Sequence, residues 1–334
     1  MIMRNLCVFV AASVVLSCAA KSEPEKENTG GVYSNPVVKI SLPDPTVMED
    51  DGIFYLYATE DVRNVPIMCS PDLVNWKKSG TVFTDGSRPS FVEGGGIWAP
   101  DVNKIGPGQY VLYYSMSVWG GTKTCGIGVA VADNPLGPWD DKGKMFISSE
   151  IGVTNSIDPF YIEDDGKKYM FWGSFNGIYA VELSDDALSV KEGAELIKVA
   201  GKAYEGTYIH KKGDYYYLFA SIGGCCAGFN STYKTVVGRS TSLFGPYLNK
   251  KGEKMLDNKH EILISGNRDY IGTGHNSEII TDKEGTDWIM YHAYYRAHSD
   301  QARTLMLDKV TWDEDGWPKV NDGTPASFSA KPVF

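Results

Sequence analysis

The sequence repeats one pattern five times along its 334 residues. Each copy opens on a polar, mostly acidic residue and continues through a short apolar strand, a glycine turn and an aromatic-rich strand. The opening residues are Asp44, Asp101, Asp158, Glu205 and His275. A period of roughly 50 residues, with each unit forming a small antiparallel sheet, is typical of a β-propeller in which every repeat is one blade. We therefore predict an all-β fold, a five-bladed β-propeller.

The composition agrees with a strand-rich globular domain and argues against nucleic acid as a partner. Hydrophobic residues make up 43% of the chain, which is enough to form a core. The 36 glycines and 20 tyrosines suit tight turns and strands better than helices. The formal net charge is −10 and the Lys and Arg residues do not cluster, so the chain lacks the basic surface that nucleic acids require.

The N-terminal residues resemble a bacterial lipoprotein signal. An apolar run at residues 6–17 follows Arg4, is too short to span a bilayer, and leads directly to Cys18. In such signals the cysteine becomes lipidated, and an ordinary secretory signal cut nearby is the alternative. We assign residues 1–17 to the signal, 18–32 to a flexible tether and 33–334 to the propeller. This organisation predicts a monomer held by lipid in the cell envelope of a bacterium.

The adjacent cysteines Cys225 and Cys226 could be two thiols or a vicinal disulfide, and two thiols in a packed loop are the favoured interpretation. The mature chain has too few cysteines for its length to form a disulfide scaffold. No Cys-x-x-Cys spacing indicates a zinc site either.

Equivalent positions of successive blades surround the propeller axis, so we expect the five opening residues to face one central funnel. Asp44, Asp158 and Glu205 occur in the similar contexts Asp-Pro, Asp-Pro and Glu-Gly. Glycoside hydrolysis needs one ionised carboxylate and one carboxylic acid that keeps its proton. A third carboxylate beside the acid raises the pKa of that acid by repulsion. A wide funnel favours a water-mediated, inverting reaction over direct attack.

These motifs resemble glycoside hydrolase family 43, a family of five-bladed propeller enzymes, over nearly all of residues 33–320. Longer matches point to its arabinanase branch: IWAPD at 97–101, NSIDP at 155–159, GCCAGFNSTY at 224–233 and GTGH at 272–275. The resemblance implies cleavage of α-1,5-L-arabinofuranosidic linkages in arabinan. It implies that Asp44 is the general base and Glu205 the general acid. Asp158 would position the acid and raise its pKa.

The resemblance also implies substrate contacts and a metal. The arabinose subsites are expected to include Trp98, Asp101, Asn155, Ser156, Ile157, Ser174 and Phe175. His275 matches a family residue that sits on a central Ca²⁺, partly through waters, although Ca²⁺ prefers oxygen ligands. The alternative for His275 is a hydrogen bond to a buried carboxylate. Trp98 is equally compatible with a sugar platform and a core position, and Arg303 is favoured as a surface ion pair.

The mode of action stays open at this stage. Arabinanases carry a tryptophan after a Gly-Ser-Phe motif, whereas this chain reads Gly173-Ser174-Phe175-Asn176-Gly177. Because that aromatic platform is missing, exo-action is an alternative to endo-action. An exo-acting α-L-arabinofuranosidase or a β-xylosidase of the same family would fit. A surface glycan-binding propeller without catalysis is the non-enzyme alternative, and the presence of all three acids speaks against it.

Overall fold

The structure is a computed structural model that describes residues 31–334, so the assigned signal and nearly all of the tether lie outside the described residues. After strand β1 (Val32–Ser34), the chain forms five antiparallel sheets one after another. The prediction of an all-β, five-bladed propeller is confirmed.

Each of the first three blades is a four-stranded sheet with its strands in chain order. The first blade contains β2 (Thr46–Asp50), β3 (Ile53–Tyr57), β4 (Pro66–Ser70) and β5 (Lys77–Thr81). The second contains β6 (Gly96–Gly106), β7 (Gln109–Ser117), β8 (Gly126–Ala132) and β9 (Asp140–Ile147). The third contains β10 (Phe160–Asp164), β11 (Lys167–Trp172), β12 (Ile178–Glu182) and β13 (Ile197–Ala200).

The last two blades follow the same plan, and the fifth has a divided inner strand. The fourth contains β14 (Glu205–Lys212), β15 (Tyr215–Ile222), β16 (Lys234–Ser240) and β17 (Glu261–Ile264). The fifth contains β18 (Tyr270–Gly274), β19 (Ile279–Thr281), β20 (Asp287–Tyr295), β21 (Arg303–Trp312) and β22 (Pro318–Val320). Both β18 and β19 pair with β20, so His275 lies in the interruption between them.

Helices are marginal in the described residues. They are one short α-helix, α1 (Ser148–Ile151), and two 3₁₀ turns (Gly228–Asn230 and Met255–Asp257). None of the helices in this part of the chain has the length and apolar character needed to cross a membrane.

The turns within the blades show why the sequence folds into hairpins. Asp51-Gly52 joins β2 to β3, and Asp165-Gly166 joins β10 to β11. All four residues have positive φ, between 50° and 75°. A two-residue turn of this kind needs positive φ at both positions, and its twist matches that of the flanking strands.

The core consists of apolar side chains packed between neighbouring blades. Phe160 of the third blade meets Tyr208 of the fourth edge-on, with ring centroids 5.1 Å apart. Tyr113 of the second blade stacks on Tyr161 of the third at 5.9 Å. Aromatic pairs in these geometries contribute roughly 0.5–1.5 kcal/mol beyond the area they bury. Aromatic side chains of the first and second strands therefore hold neighbouring blades together.

The ring is closed by the two ends of the described chain. Strand β1 pairs with β23 (Phe328–Ala330), which follows the fifth blade. Strand β1 and the residue after it also bind the fifth blade, because the Tyr33 hydroxyl and the Asn35 amide both donate to the carbonyl oxygen of Leu307, at 2.6 and 2.8 Å. These contacts tie the segment that leads into the first blade to the last blade.

A buried pair of carboxyl groups, Asp101 and Glu278, connects four inner strands at the axis. Asp101 accepts the backbone N–H of Tyr161 at 2.7 Å, and Glu278 accepts that of Val47 at 2.8 Å. Burial raises the pKa of both side chains, and the neighbouring Glu278 charge raises that of Asp101 further. Because the two carboxyls also bind each other, the pair retains a proton at pH values where ordinary carboxyls are ionised.

This pair should make the fold less stable at higher pH. A carboxyl whose folded-state pKa is raised contributes stability that is complete below its unfolded pKa and is lost as the pH rises through the folded pKa. Asp101→Asn keeps a donor and an acceptor but cannot ionise. We expect its melting temperature to fall less between pH 5 and pH 8 than that of the wild type, as measured by calorimetry.

Asp287→Asn provides the control of opposite sign. Burial opposes ionisation of Asp287, but hydrogen bonds from Lys212, Thr281 and Trp312 hold its pKa below the usual value. Its contribution is complete above the usual carboxyl pKa of about 4 and is lost only as the pH falls below that value. This variant should therefore lower the melting temperature by a similar amount throughout pH 5–8. A wild-type pH dependence that Asp101→Asn leaves unchanged would show that the axial pair does not hold a proton.

Candidate active site

The inner strands turn sharply where they meet the mouth of the funnel. Asp44, Asp158 and His275 have φ values of 55°, 61° and 50°. Such backbone costs on the order of 1–3 kcal/mol for a residue with a side chain and needs support from its surroundings. The preceding blade supplies that support, since Ser115 accepts the N–H of Asp158 and Ser221 accepts that of His275, both at 2.8 Å. The turns direct all three side chains into one pocket.

Asp44 is the ionised carboxylate of the site. The Thr59 hydroxyl donates to Oδ2 at 2.6 Å, His275 Nδ1 lies 3.2 Å from Oδ1, and Arg303 Nη1 lies 3.6 Å from Oδ2. Burial alone would raise the pKa of Asp44. The positive charges of His275 and Arg303 outweigh burial and hold this pKa well below its usual range. Asp44 therefore carries a negative charge throughout the neutral pH range.

Two histidines beside Asp44 have different charges. Burial works against protonation of His275, but the Asp44 carboxylate raises its pKa to about 9, so His275 is a cation at neutral pH. Burial lowers the pKa of His292 to about 3, so His292 is neutral. Its Nδ1 then accepts the backbone N–H of Asp44 at 3.2 Å, and its 3.4 Å approach to the carboxylate is not an ion pair.

Glu205 and Asp158 hold their protons more tightly than ordinary carboxyls. Burial raises the pKa of Glu205, against hydrogen bonds that include one from the Ser174 hydroxyl at 2.7 Å. Burial and the charges of Glu205 and Asp44 raise the pKa of Asp158 to about 8. Asp158 Oδ2 accepts the N–H of Gly206 at 3.1 Å and so fixes the backbone beside Glu205. The site thus combines an ionised Asp44 with two carboxyls that can be protonated.

Gly206 is required by this geometry. Its φ is +60°, and a side-chain carbon there would approach the His275 imidazole to 3.0 Å. The Glu-Gly motif therefore lets the backbone beside Glu205 in the fourth blade pack closely against the His275 imidazole of the fifth.

His275 does not by itself form a calcium site. Its Nδ1 faces Asp44, and no group of three or more His, Cys, Asp or Glu side chains in residues 31–334 is arranged to hold a metal ion. Ca²⁺ takes six to eight oxygen ligands, so water would have to supply most of them here. The residues present do not fit a protein cage for calcium.

The pocket at the funnel mouth has a volume of about 320 Å³ and is lined by residues of all five blades. Five of the predicted substrate-contacting residues line it: Trp98, Asn155, Ile157, Ser174 and Phe175. Trp98 packs against the exposed Trp119 with ring centroids 5.5 Å apart, which places both rings at the pocket rather than in the core.

Asp101 and Ser156, also predicted to contact substrate, lie away from this pocket. In the second blade, the residue that makes the sharp turn at the funnel mouth is Ala99, whose φ is 41°. Its N–H donates a hydrogen bond to Thr59 Oγ1 at 2.7 Å. Asp101 is two residues further along the strand and lies in the deeper layer with Glu278. Ser156 is fully buried, where its hydroxyl donates to the carbonyl of Val153 at 2.8 Å.

The structure also corrects two predictions about the pocket wall. The sulfur atoms of Cys225 and Cys226 are bonded to each other, so the pair is a disulfide rather than two thiols, and both residues line the pocket. Arg303 is not a surface ion pair but a funnel residue with 14% side-chain exposure, between Asp44 and Asp61. This position has no local sign in the sequence, since Asp61 and Arg303 are 242 residues apart in the chain.

Comparison with known proteins places this geometry in a family. Residues 33–318 match the model of glycosyl hydrolases family 43. The chain belongs to this family. An extracellular exo-α-(1→5)-L-arabinofuranosidase of Cellvibrio japonicus is 36% identical over 85% of this chain and 87% of its own. An extracellular endo-α-(1→5)-L-arabinanase of Bacillus subtilis is 33% identical over 83% and 87%. The solved structure of Cellvibrio cellulosa α-L-arabinanase with arabinohexaose has a TM-score of 0.78 and 35% identity, and covers 85% of this chain and 96% of that one.

These matches confirm the resemblance to the arabinanase branch of family 43, and the protein is a glycoside hydrolase. Sequence reasoning missed two side chains that shape the site of this family 43 enzyme, His292 and Tyr233. They stack on each other with centroids 5.7 Å apart, and the Tyr233 hydroxyl binds Glu205. Tyr233 ends the stretch GCCAGFNSTY, which carried the resemblance without an assigned role for this tyrosine, and His292 lies in the sequence YHAY at residues 291–294.

Proposed function

We propose that this enzyme hydrolyses α-1,5-L-arabinofuranosidic linkages of arabinan with inversion of configuration. The observation that carries the proposal is the separation of proton affinities at the funnel mouth, where His275 and Arg303 hold the pKa of Asp44 well below its usual range while burial raises the pKa of Glu205. The activities named for the relatives from Cellvibrio japonicus and Bacillus subtilis support the choice of substrate. We also propose that it acts as a monomer, since all five blades of the chain contribute side chains to a single pocket.

The reaction follows from these charges. Asp44 accepts a proton from a water whose oxygen attacks the anomeric carbon of the arabinofuranosyl unit. The glycosidic C–O bond breaks, and Glu205 gives its proton to the departing oxygen. Asp158 holds the backbone of Gly206 and so orients Glu205. One water is consumed, both carboxyls exchange their protonation states, and the product has the opposite anomeric configuration.

Glu205→Gln tests the acid. The amide cannot donate a proton to the leaving oxygen, so activity on linear arabinan should fall by about 10²–10⁴-fold, the usual contribution of a general acid. An aryl arabinofuranoside with a good leaving group should lose much less, because its departure needs little protonation. Initial rates on both substrates, with circular dichroism to verify folding, provide the measurement.

Asp44→Asn is the matched comparison. Activation of water is needed for every leaving group, so this variant should lose activity on both substrates to a similar extent. If Glu205→Gln also loses activity equally on both substrates, Glu205 is not the general acid. NMR of the wild-type product should show inversion, and retention of configuration would contradict the water-mediated reaction.

We also propose export and lipid anchoring through Cys18. The support for the anchor is the N-terminal sequence, which lies outside the described residues. The support for export also includes the word extracellular in the names of the two relatives. Cys18→Ala should move the enzyme from the membrane pellet to the soluble fraction of the producing bacterium, whereas Cys69→Ala should not. A Cys18→Ala variant that stays in the pellet would contradict the anchor.

We further propose that a calcium ion binds beside His275, largely through waters. Its support is the resemblance of GTGH at residues 272–275 to the family motif whose histidine sits on a central Ca²⁺. A bound cation would stabilise the folded state by mass action. Chelation should then lower the melting temperature by a few degrees and added Ca²⁺ should restore it, with His275→Ala reducing the response. Elemental analysis that finds no calcium, with a melting temperature insensitive to excess chelator, would refute the site.

A further inference from the structure

A second pocket lies at the end of the fourth blade that is remote from the funnel mouth. Strand β14 starts at Glu205 at the mouth and ends at Lys212, which pairs with Tyr215 at the opposite end of the blade. The second pocket has a volume of about 380 Å³ and is separate from the catalytic carboxyls. We call it the distal pocket, and its lining includes Tyr215, Arg239, Ser240, Thr241, Lys250 and Trp317.

Arg239 is held rigidly at this pocket. Its guanidinium carbon lies 4.3 Å from the ring centroid of Tyr215 and 4.5 Å from that of Trp317. Its Nη1 donates to the carbonyl oxygen of Asp315 at 2.5 Å. Contact with two aromatic faces fixes the guanidinium group, so little side-chain freedom is left to lose when a ligand binds.

The charge of Arg239 has no ion-pair partner in the part of the chain that the structure describes. Three arginines of residues 31–334 are shielded from full exposure, namely Arg88, Arg239 and Arg303. Arg88 forms an ion pair with Glu60, and Arg303 forms one with Asp61. Arg239 has only the Asp315 carbonyl as a hydrogen-bond acceptor. Charges that are partly removed from water are normally paired, so Arg239 retains the capacity to bind an anion.

The backbone turn beside the distal pocket does not itself require an arginine. The sequence Leu-Gly-Pro-Trp at residues 136–139 makes a turn in the second blade that is similar to Phe-Gly-Pro-Tyr at residues 244–247. Six residues before the glycine, the second blade has Val131 where the fourth has Arg239. The next position is Ala132 in the second blade and Ser240 in the fourth. The fourth blade therefore has a cation and a hydroxyl added to a turn that folds without them.

The lining indicates the kind of ligand. Among residues 31–334 the charged side chains that line the distal pocket are Arg239 and Lys250, and no carboxylate lines it, although the whole chain has a net charge of −10. Lys250 Nζ lies 3.0 Å from Asp313, so Arg239 provides the unpaired charge. A planar guanidinium group matches the two oxygens of a carboxylate. An aromatic ring with nearby hydroxyl groups suits the apolar face and the hydroxyls of a sugar.

We propose that the distal pocket binds a carboxylate-bearing sugar of an acidic polysaccharide, with Arg239 on the carboxylate. This site goes beyond the proposed function, because it lies at the opposite end of the blade and takes an acidic sugar rather than neutral arabinose. Binding there holds the enzyme on an acidic polysaccharide while the funnel remains open to neutral chains.

The probe is trigalacturonate, and its binding is measured by titration calorimetry. The wild type should bind one trisaccharide per chain. Arg239→Gln should weaken binding by about tenfold or more, the effect of losing a hydrogen bond between charged groups. Lys250→Gln should also weaken binding, whereas Lys251→Gln removes the same charge from an exposed neighbour outside the lining and should not. Equal losses in Lys250→Gln and Lys251→Gln would show general attraction to surface charge and overturn the site.

Two ligand controls need no variant. The methyl ester of the trisaccharide has no charge and should bind at least about tenfold more weakly. Equal affinity for the ester would overturn recognition of the carboxylate. Inorganic phosphate that binds as tightly as the trisaccharide would overturn recognition of the sugar.

The distal pocket and the funnel are separated by two further measurements. Glu205→Gln should bind trigalacturonate as the wild type does, and neutral arabino-oligosaccharide in excess should not displace it. Displacement would place the acidic sugar in the funnel and overturn the distal site. An enzyme that hydrolyses arabinan without binding trigalacturonate would overturn the distal site alone. A folded protein that binds trigalacturonate and leaves arabinan intact would overturn the proposed function alone.

Discussion

Repulsion among three carboxyl groups at the mouth of one funnel governs the arrangement of the site. Asp44, Asp158 and Glu205 are all buried in the same pocket, where charges interact more strongly than in water. Two cations, His275 and Arg303, lie beside Asp44 and neutralise that one carboxylate. Burial and this repulsion raise the pKa of the other two carboxyls, so they hold protons more tightly than ordinary carboxyls. The division into one ionised carboxylate and two carboxyls of raised pKa is therefore a consequence of where the positive charges are placed.

The propeller provides this placement because each blade supports the turn of the next. Ser115 and Ser221 fix the turns at Asp158 and His275, and the neutral His292 fixes the turn at Asp44. A charged His292 could not accept the N–H of Asp44, so its burial and its low pKa are part of the support. Displacement of any one blade would move a functional side chain relative to those on its neighbours.

The repeat predicted the fold and the ring of catalytic side chains, because both depend on local patterns. It failed at Asp101, where the second blade makes its turn at Ala99 and leaves the acidic residue two positions deeper. In the sequence, the acidic residue that opens each repeat looks equivalent to those of the other repeats. In a strand, however, a residue two positions further along points to the same face of the sheet but lies at a different depth along the funnel. Contacts between distant segments, such as that of Arg303 with Asp61, have no local pattern from which they could be predicted.

The shift of Asp101 separates two layers of carboxyl groups with different surroundings. The lower pair, Asp101 and Glu278, is closed off by backbone N–H groups and binds strands together. The upper group opens to the pocket, where protons can be exchanged with substrate and water. The segment that closes the ring also reaches the pocket, because Ser41 lies between the closing strand β1 and the turn at Asp44. Ser41 binds Asp61 and the backbone of Arg303, two residues that line the pocket, so the segment that completes the propeller also fixes one side of the pocket.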